Sequence, residues 1–345
     1  MDRLGDVLLS GPLVRAVAAA EDEVSYLTSP AGAPGAVLLP GVDRVVVDSV
    51  GWIEDPPPAV TRDRIDGLVE RIAGLRVDVA LVLTSFHQSP LPMALVLRMA
   101  GVPRIGAVSV DYPGSLLDVR HLVDEDCHEV LRYLSLGRAM GYLLPPGDDG
   151  RLGVAARGWA TEAAPWAPSG AEDYVVVHPG ASVSARAWDP DAHARVVERL
   201  SQRGWVVAVT GGRSEMGLTA KVAGARGADL GGRLSVGALA RVMSGARAVV
   251  VGNTGPAHLA AALGTPVVSL YAPTVPASRW RPWRVPHVLL GIQDIPCAGC
   301  RARVCPVAGH PCISGVDAED VVEAVTALAG PPCSGTGVSA GSVVP

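Results

Sequence analysis

The 345-residue sequence has one phenylalanine, Phe86, and only 4% aromatic residues. Lys221 is the only lysine among its 29 Lys and Arg residues. In a chain so rich in Ala, Gly and Pro this is a compositional bias, so an arginine at a site is not by itself a choice against lysine. No uninterrupted apolar run is long enough to cross a bilayer, although 49% of the residues are hydrophobic. The start shows no basic segment followed by an apolar core and a cleavage site, which leads us to expect a cytoplasmic protein. The net charge of −5 argues against a nucleic-acid-binding surface. Neither Gly-x-Gly-x-x-Gly nor a Walker A pattern occurs, which weighs against dehydrogenase and P-loop readings.

The most informative stretch is Ala248 to Pro273, AVVVGNTGPAHLAAALGTPVVSLYAP. Its Val-rich opening is too short for a helix and reads as a buried parallel strand. Gly252-Asn253-Thr254-Gly255 breaks the run, and Pro256 suits the first turn of a helix. That helix runs to Leu263, and Pro266 to Leu270 is a second strand. Such a βαβ unit brings free backbone N–H groups and a positive helix end to the carboxyl edge of a sheet, where a phosphate can sit. Equally, many glycine-containing βαβ turns bind nothing.

Strand-like and helix-like segments alternate along the whole chain. Strands are expected at Val24–Leu27, Asp43–Asp48 and Val79–Leu83, and helices from Asp6, at Thr61–Leu75, Leu91–Ala100 and Glu125–Leu136. The Pro-, Gly- and Asp-rich stretch Pro145–Glu172 reads as an interdomain linker. A second alternating set follows. It has strands at Tyr174–Val177 and Trp205–Thr210, and helices at Pro190–Arg203, Ser214–Ala225, Leu234–Ser244 and Val316–Leu328. The pattern predicts an α/β protein with domains over 1–150 and 173–315. A helix at 316–329 is expected to pack back towards the first domain, with a disordered tail over 330–345.

Three segments, RLGDVLLSGPLVRAV, VVVHPGASVSARAW and GNTGPAHLAAALGTPVVSLYAPT, resemble the signatures of glycosyltransferase family 9, the heptosyltransferases. The resemblance covers nearly the whole chain in the family's order. It implies a GT-B fold, two Rossmann-like domains facing across a cleft, with the acceptor on the first and a nucleotide sugar on the second. It also implies inverting transfer of heptose, usually from ADP-L-glycero-β-D-manno-heptose, to a hydroxyl acceptor. No cofactor and no metal ion take part, and contact with a membrane is at most peripheral.

Each residue carried over from the family has a chemical role and a plainer alternative. Asp6 matches the proposed general base, which takes the acceptor proton; alternatively it only caps its helix. Arg186 stands where the family usually has lysine, and its cation would offset charge on the leaving diphosphate. Ser182 and Ser184 would donate hydroxyls to phosphate, while Trp188 reads as packing beneath that loop. Glu215 resembles the carboxylate that binds the nucleotide ribose, or is a solvated residue at a helix start. Asn253 replaces an aspartate that contacts the sugar in many members, which leaves the identity of the sugar open. Thr254 and Gly255 would cradle phosphate through their backbone, with His258 bonding nearby. His87 and Gln88 end a strand of the first domain and would touch the acceptor; the same residues suit a plain loop.

Two expectations stand apart from these. The family pattern places a strand before the Gly5-Asp6 helix, and only five residues precede Asp6, so we expect Met1 to lie downstream of the natural start, or the protein to be truncated. Cys297, Cys300, Cys305 and Cys312 have the spacing C-x2-C-x4-C-x6-C, which suits zinc, reduced thiols or a disulfide-linked loop. Two further functions fit the same pattern: a sugar-nucleotide epimerase of GT-B fold, and a nucleotide-binding protein without catalysis.

Overall fold

A computed structural model of the chain describes residues 3–53, 57–86, 88–123, 126–156, 159, 166 and 173–332. Expectations that fall on His87, on most of 157–172 and on the tail from 333 lie outside the described residues. The chain divides into two compact units. The first is Met1–Gly158 with Ser278–Trp283, and the second is Trp159–Ala277 with Arg284–Pro345.

In the first unit the helices are α1 (Leu4–Leu9), α2 (Gly11–Ala18), α3 (Ala33–Leu38), α4 (Arg62–Ala73), α5 (Leu91–Met99) and α6 (Glu129–Met140). The strands are β1 (Ser25–Thr28), β2 (Arg44–Val47), β3 (Val79–Val82), β4 (Arg104–Val108) and β5 (Val119–His121). All pairings are parallel, and the strands form two separate sheets, β1-β2 and β3-β4-β5. The expected first helix is two helices. Pro12 cannot donate to the helical ladder, so α1 ends at Leu9, and the Ser10 hydroxyl bonds Val7 O at 2.7 Å. The helix α3 was not foreseen, because Pro34 and Gly35 are poor helix formers. Its glycines explain the packing: a Cβ on Gly35 would lie 3.1 Å from Leu4 and 3.3 Å from Val7, so only a bare backbone admits α1.

A buried ionic cluster holds α6 to the loop after β3. Glu129 is fully buried between Arg132 (3.3 Å) and Arg279 (3.6 Å), and Arg132 also donates to Thr84 O at 2.5 Å. Loss of water raises the Glu129 pKa, and the two guanidiniums pull it back down. Arg279 lies 4.2 Å over the Phe86 ring, and Trp280 packs on the same ring. Trp283 stacks on His128 and donates to Gly150 O at 2.8 Å. These contacts account for the inclusion of Ser278–Trp283 in the first unit.

The second unit is built on one six-stranded parallel sheet. Its strands are β6 (Tyr174–His178), β7 (Val206–Val209), β8 (Ala228–Asp229), β9 (Ala248–Gly252), β10 (Val267–Leu270) and β11 (His287–Leu290). The helices are α7 (Pro190–Gln202), α8 (Met216–Ala223), α9 (Val236–Ser244), α10 (Gly255–Ala262), α12 (Pro311–Ser314) and α13 (Ala318–Ala329), while α11 (Ala277–Trp280) belongs from Ser278 onward to the first unit. The strand order is β11-β10-β9-β6-β7-β8, so the unit's first strand lies at the centre. From β6 the chain moves to β7 on one side and later returns to β9 on the other. That reversal is a doubly wound switch point, and ligands bind beside it at the carboxyl ends of the strands.

The last helix, α13, packs on α7, β9, β10 and β11 of the second unit. Val321, Val322 and Val325 are completely buried in that core, so the hydrophobic face of α13 is used up there. The same core buries Trp188, as expected of a packing residue.

One buried base makes this unit sensitive to acid. His193 on α7 packs edge-on against Trp188, and burial, then His178, push its pKa down to about 3. An unfolded histidine titrates near 6.5, so between about pH 6.5 and 3 the unfolded chain binds a proton that the folded chain refuses. Stability is unaffected above that window and is lost as pH falls through it, at about 1.4 kcal/mol per pH unit. Denaturant unfolding followed at pH 7 and pH 5 should show the native chain losing about 2 kcal/mol more than a His193→Phe variant. Equal losses in both proteins would remove His193 as the cause.

Candidate functional site

Two loops leave the switch point of the second unit, one after β6 and one after β9. The loop after β6 runs Pro179-Gly180-Ala181-Ser182-Val183 into a single 3-10 turn, Ser184–Arg186. The loop after β9 is Asn253-Thr254, and α10 begins directly at Gly255 with Pro256 in its first turn. A third loop, Tyr271-Ala272-Pro273-Thr274, follows β10 on the same edge. Parallel strands bring all three carboxyl ends to one side, so residues far apart in sequence gather there.

Arg186 links these loops. Its Nε donates to Thr274 Oγ1 at 3.0 Å, and its charge acts on the Tyr271 hydroxyl. The end of β9 is close as well: a Cβ on Gly252 would stand 3.5 Å from Arg186 O. Asn253 is buried beside Tyr271, which donates its own proton towards Val275 O and Pro276 O, at 3.3 and 3.2 Å. Burial holds the Tyr271 pKa well above the usual phenol range, so it remains protonated. Thr254 is the N-cap of α10, but its hydroxyl turns back to Gly252 O at 3.4 Å and does not cap the helix. The positive end of an eight-residue helix is therefore left without a side-chain cap on the same sheet edge as the Arg186 turn, an arrangement that attracts a phosphate group. His258 is buried one turn into α10.

The remaining candidates of this unit are more peripheral. Ser182 is exposed, and the Ser184 hydroxyl donates to Arg303 O at 3.2 Å. Glu215 lies over the neighbouring loop: Oε2 accepts from Gly212 N at 2.7 Å, and Oε1 would be 2.1 Å from a Cβ on Gly180. Its carboxylate is thus wedged between the glycine turns that follow β6 and β7, where only Gly180 leaves it room. Its charge also reaches His178, whose pKa burial pushes down and Glu215 pulls up. The Gly212 contact is the helix-start role named as the plainer alternative.

In the first unit, Asp6 lies in the first turn of α1, half-buried. It is close enough to the buried Tyr133 to help raise that phenol's pKa, after burial itself and Glu129. Gln88 is half-buried, and its side-chain carbonyl accepts from Ser85 N at 3.4 Å, so one of its polar atoms is spent on its own loop. His87 lies outside the described residues.

Sequence reasoning missed Thr274, Tyr271 and the backbone that supports Arg186. Tyr271 and Thr274 lay inside the quoted third motif, but nothing in their spacing pointed to Arg186. The cysteine spacing suits zinc, reduced thiols or a disulfide-linked loop, and does not point to a support for Arg186. Among the described residues Cys127, Cys297, Cys300, Cys305 and Cys312 are free thiols, and no group of three or more His, Cys, Asp or Glu is arranged to hold a metal ion.

Comparison with known proteins adds a family and a fold. The family model described as glycosyltransferase family 9 (heptosyltransferase) matches residues 68–310. A lipopolysaccharide heptosyltransferase 1 from Pseudomonas aeruginosa is 38% identical over 184 residues, covering 52% of this chain and 48% of that protein. The chain therefore spans about half the length of this curated relative in the match. A family 9 glycosyl transferase from Veillonella parvula superposes with a TM-score of 0.74 at 16% identity, covering 94% of each chain. The Escherichia coli ADP-heptose LPS heptosyltransferase II gives 0.73 at 19% identity, covering 95% of this chain and 96% of that one. At these identities the likeness concerns the fold, which is the GT-B class of two Rossmann-like units.

Proposed function

The chain belongs to glycosyltransferase family 9, and from that membership we propose that it is a glycosyltransferase acting on a nucleotide-activated heptose. The donor is ADP-L-glycero-β-D-manno-heptose, and the acceptor is a hydroxyl on a glycan, a lipid-linked sugar or a small molecule. The observation that carries this reading is the meeting of Arg186, Thr274, Asn253 and the uncapped start of α10 at the switch point of the second unit.

The chemistry assigned to these groups is an inverting displacement. The acceptor oxygen attacks the anomeric carbon, the bond from that carbon to the diphosphate oxygen breaks, and ADP departs. The acceptor proton goes to the Asp6 carboxylate. Arg186 and the backbone of Thr254 and Gly255 hold the diphosphate as its charge grows, so no metal ion is required for that task. Asn253 hydrogen-bonds the sugar without adding a negative charge beside the phosphates. Glu215 contacts the ribose through the carboxylate edge not used by Gly212. No helix among the described residues is long and apolar enough to cross a membrane; the enzyme is proposed to act in the cytoplasm, in at most peripheral contact with a bilayer.

The test is a donor screen read by mass spectrometry with ADP- and UDP-sugars, because donor loss is visible before the acceptor is known. We expect ADP-heptose to be consumed with release of ADP, slowly in water and faster with a competent acceptor. Consumption of UDP-sugars alone would replace the donor. Interconversion of sugars without nucleoside diphosphate release would indicate an epimerase, and binding without turnover a protein that has lost catalysis.

A further inference from the structure

The segment from Cys297 to Cys312 makes a set of contacts that neither the metal pattern nor the family motifs explain. It grips both loops that Arg186 joins. On one side Gly299 N donates to Pro273 O at 2.7 Å and Arg301 N to Thr274 O at 2.9 Å. On the other, Arg303 O accepts from Ala185 N at 3.0 Å and from the Ser184 hydroxyl at 3.2 Å. His310 closes the ring, with Nε2 at 3.1 Å from Ala185 O. A carbonyl oxygen only accepts, so Nε2 is the donor there. The carbonyl and the N–H of Ala185 are thus both held by one segment, and that residue immediately precedes Arg186.

The segment is shaped for this purpose. His310 has φ 49° and ψ 54°, a left-handed conformation that costs a non-glycine residue energy and persists only when its surroundings enforce it. His310, Ala185 and the four thiols line one small cavity behind the Arg186 turn. Burial raises the Cys312 pKa, as do the nearby Cys305, Cys297 and Cys300, which shows how closely the thiols gather.

We infer that this segment is a positioning frame for Arg186 and that His310 is its decisive side chain, acting through the Ala185 carbonyl. The inference rests on the reading of Arg186 as a diphosphate contact. A free 3-10 turn can swing its arginine through several orientations, whereas one pinned at the preceding peptide and at Thr274 presents the guanidinium in a single direction. The benefit is pre-organisation: less ordering entropy is lost when the diphosphate binds.

The experiment measures ADP binding by calorimetry on the full chain, with thermal melting of each variant as a control. His310→Ala should weaken ADP binding on the order of tenfold, the size of one hydrogen bond near a charged group. His310→Gln, whose amide nitrogen reaches where Nε2 stands, should restore most of the loss. His310→Asn accepts left-handed backbone better but is too short to reach Ala185 O, and should bind as weakly as His310→Ala. Added to Arg186→Ala, His310→Ala should cost almost nothing more, because its effect passes through that arginine. Restoration by Asn and not by Gln, or losses that add in the double variant, would overturn the inference. If Arg186→Ala weakens ADP binding while His310→Ala leaves it unchanged, the inference falls and the donor-site reading survives. If the native chain fails to bind ADP, both fall. Should His310→Ala fail to fold, the Gln and Asn variants still decide between donor and backbone roles.

Discussion

Replacing Asp6 by asparagine is expected to lower kcat on the order of 10²–10⁴-fold while donor affinity stays near that of the native enzyme. The substitution keeps the size and planarity of the side chain and removes only its ability to accept a proton fully. Asp6 sits half-buried in the first turn of a short helix, within electrostatic reach of the fully buried Tyr133. The asparagine removes a negative charge that helps keep Tyr133 protonated, but burial and Glu129, the larger causes, remain and hold that phenol neutral. Circular dichroism and melting should therefore match the native protein while steady-state turnover collapses. Near-native turnover by a folded Asp6→Asn variant would reduce Asp6 to a helix-start residue and move the search for the base to His87.

Arg186→Ala is expected to act differently, weakening donor binding and transfer together, by about 10–100-fold in kcat/KM. A contact to the leaving diphosphate exists in the ground state and strengthens in the transition state, so both KM and kcat should move. Alanine also leaves Thr274 Oγ1 without the Nε donor it now has at 3.0 Å. Arg186→Lys should fall between the two: it returns the cation but has one ammonium where Arg186 can bond Thr274 and phosphate at once. Initial-rate kinetics over a range of ADP-heptose concentrations separate the terms. A change in KM alone, with kcat intact, would mean that Arg186 contributes uniform binding and no stabilisation of the departing charge.

Much of the second unit was legible because its central strands are buried on both faces. Val175–Val177 and Val249–Val251 are unbroken apolar runs, and all six valines are completely buried. Such runs announce parallel strands without any knowledge of their neighbours. The first unit gave weaker signals. The three-residue β5, with exposed Arg120 at its middle, has no apolar run to notice. The helix α3 forms against propensity because Gly32 and Gly35 allow α1 close, which is a tertiary reason. The candidate site divides the same way. Asn253, Thr254 and Gly255 follow a strand of a βαβ unit, where local pattern marks the turn, whereas Arg186 was reached only through the resemblance of its motif to the family. Thr274 and His310 join the site only through pairing with a loop about 90 and 125 positions away, as their hydrogen bonds record, and no local rule reports that.

The strap Ser278–Trp283 also bears on how the chain comes into being. A ribosome releases the first unit's strands and helices early, but Arg279, Trp280 and Trp283 emerge only after most of the second unit has been synthesised. Until then Glu129 has Arg132 as its only nearby cation, and Phe86 and His128 lack the rings that pack on them. The first unit is thus begun first and finished late. A fragment ending at Gly158 would hold a permanently incomplete version of it, with a buried carboxylate short of one of its two cations.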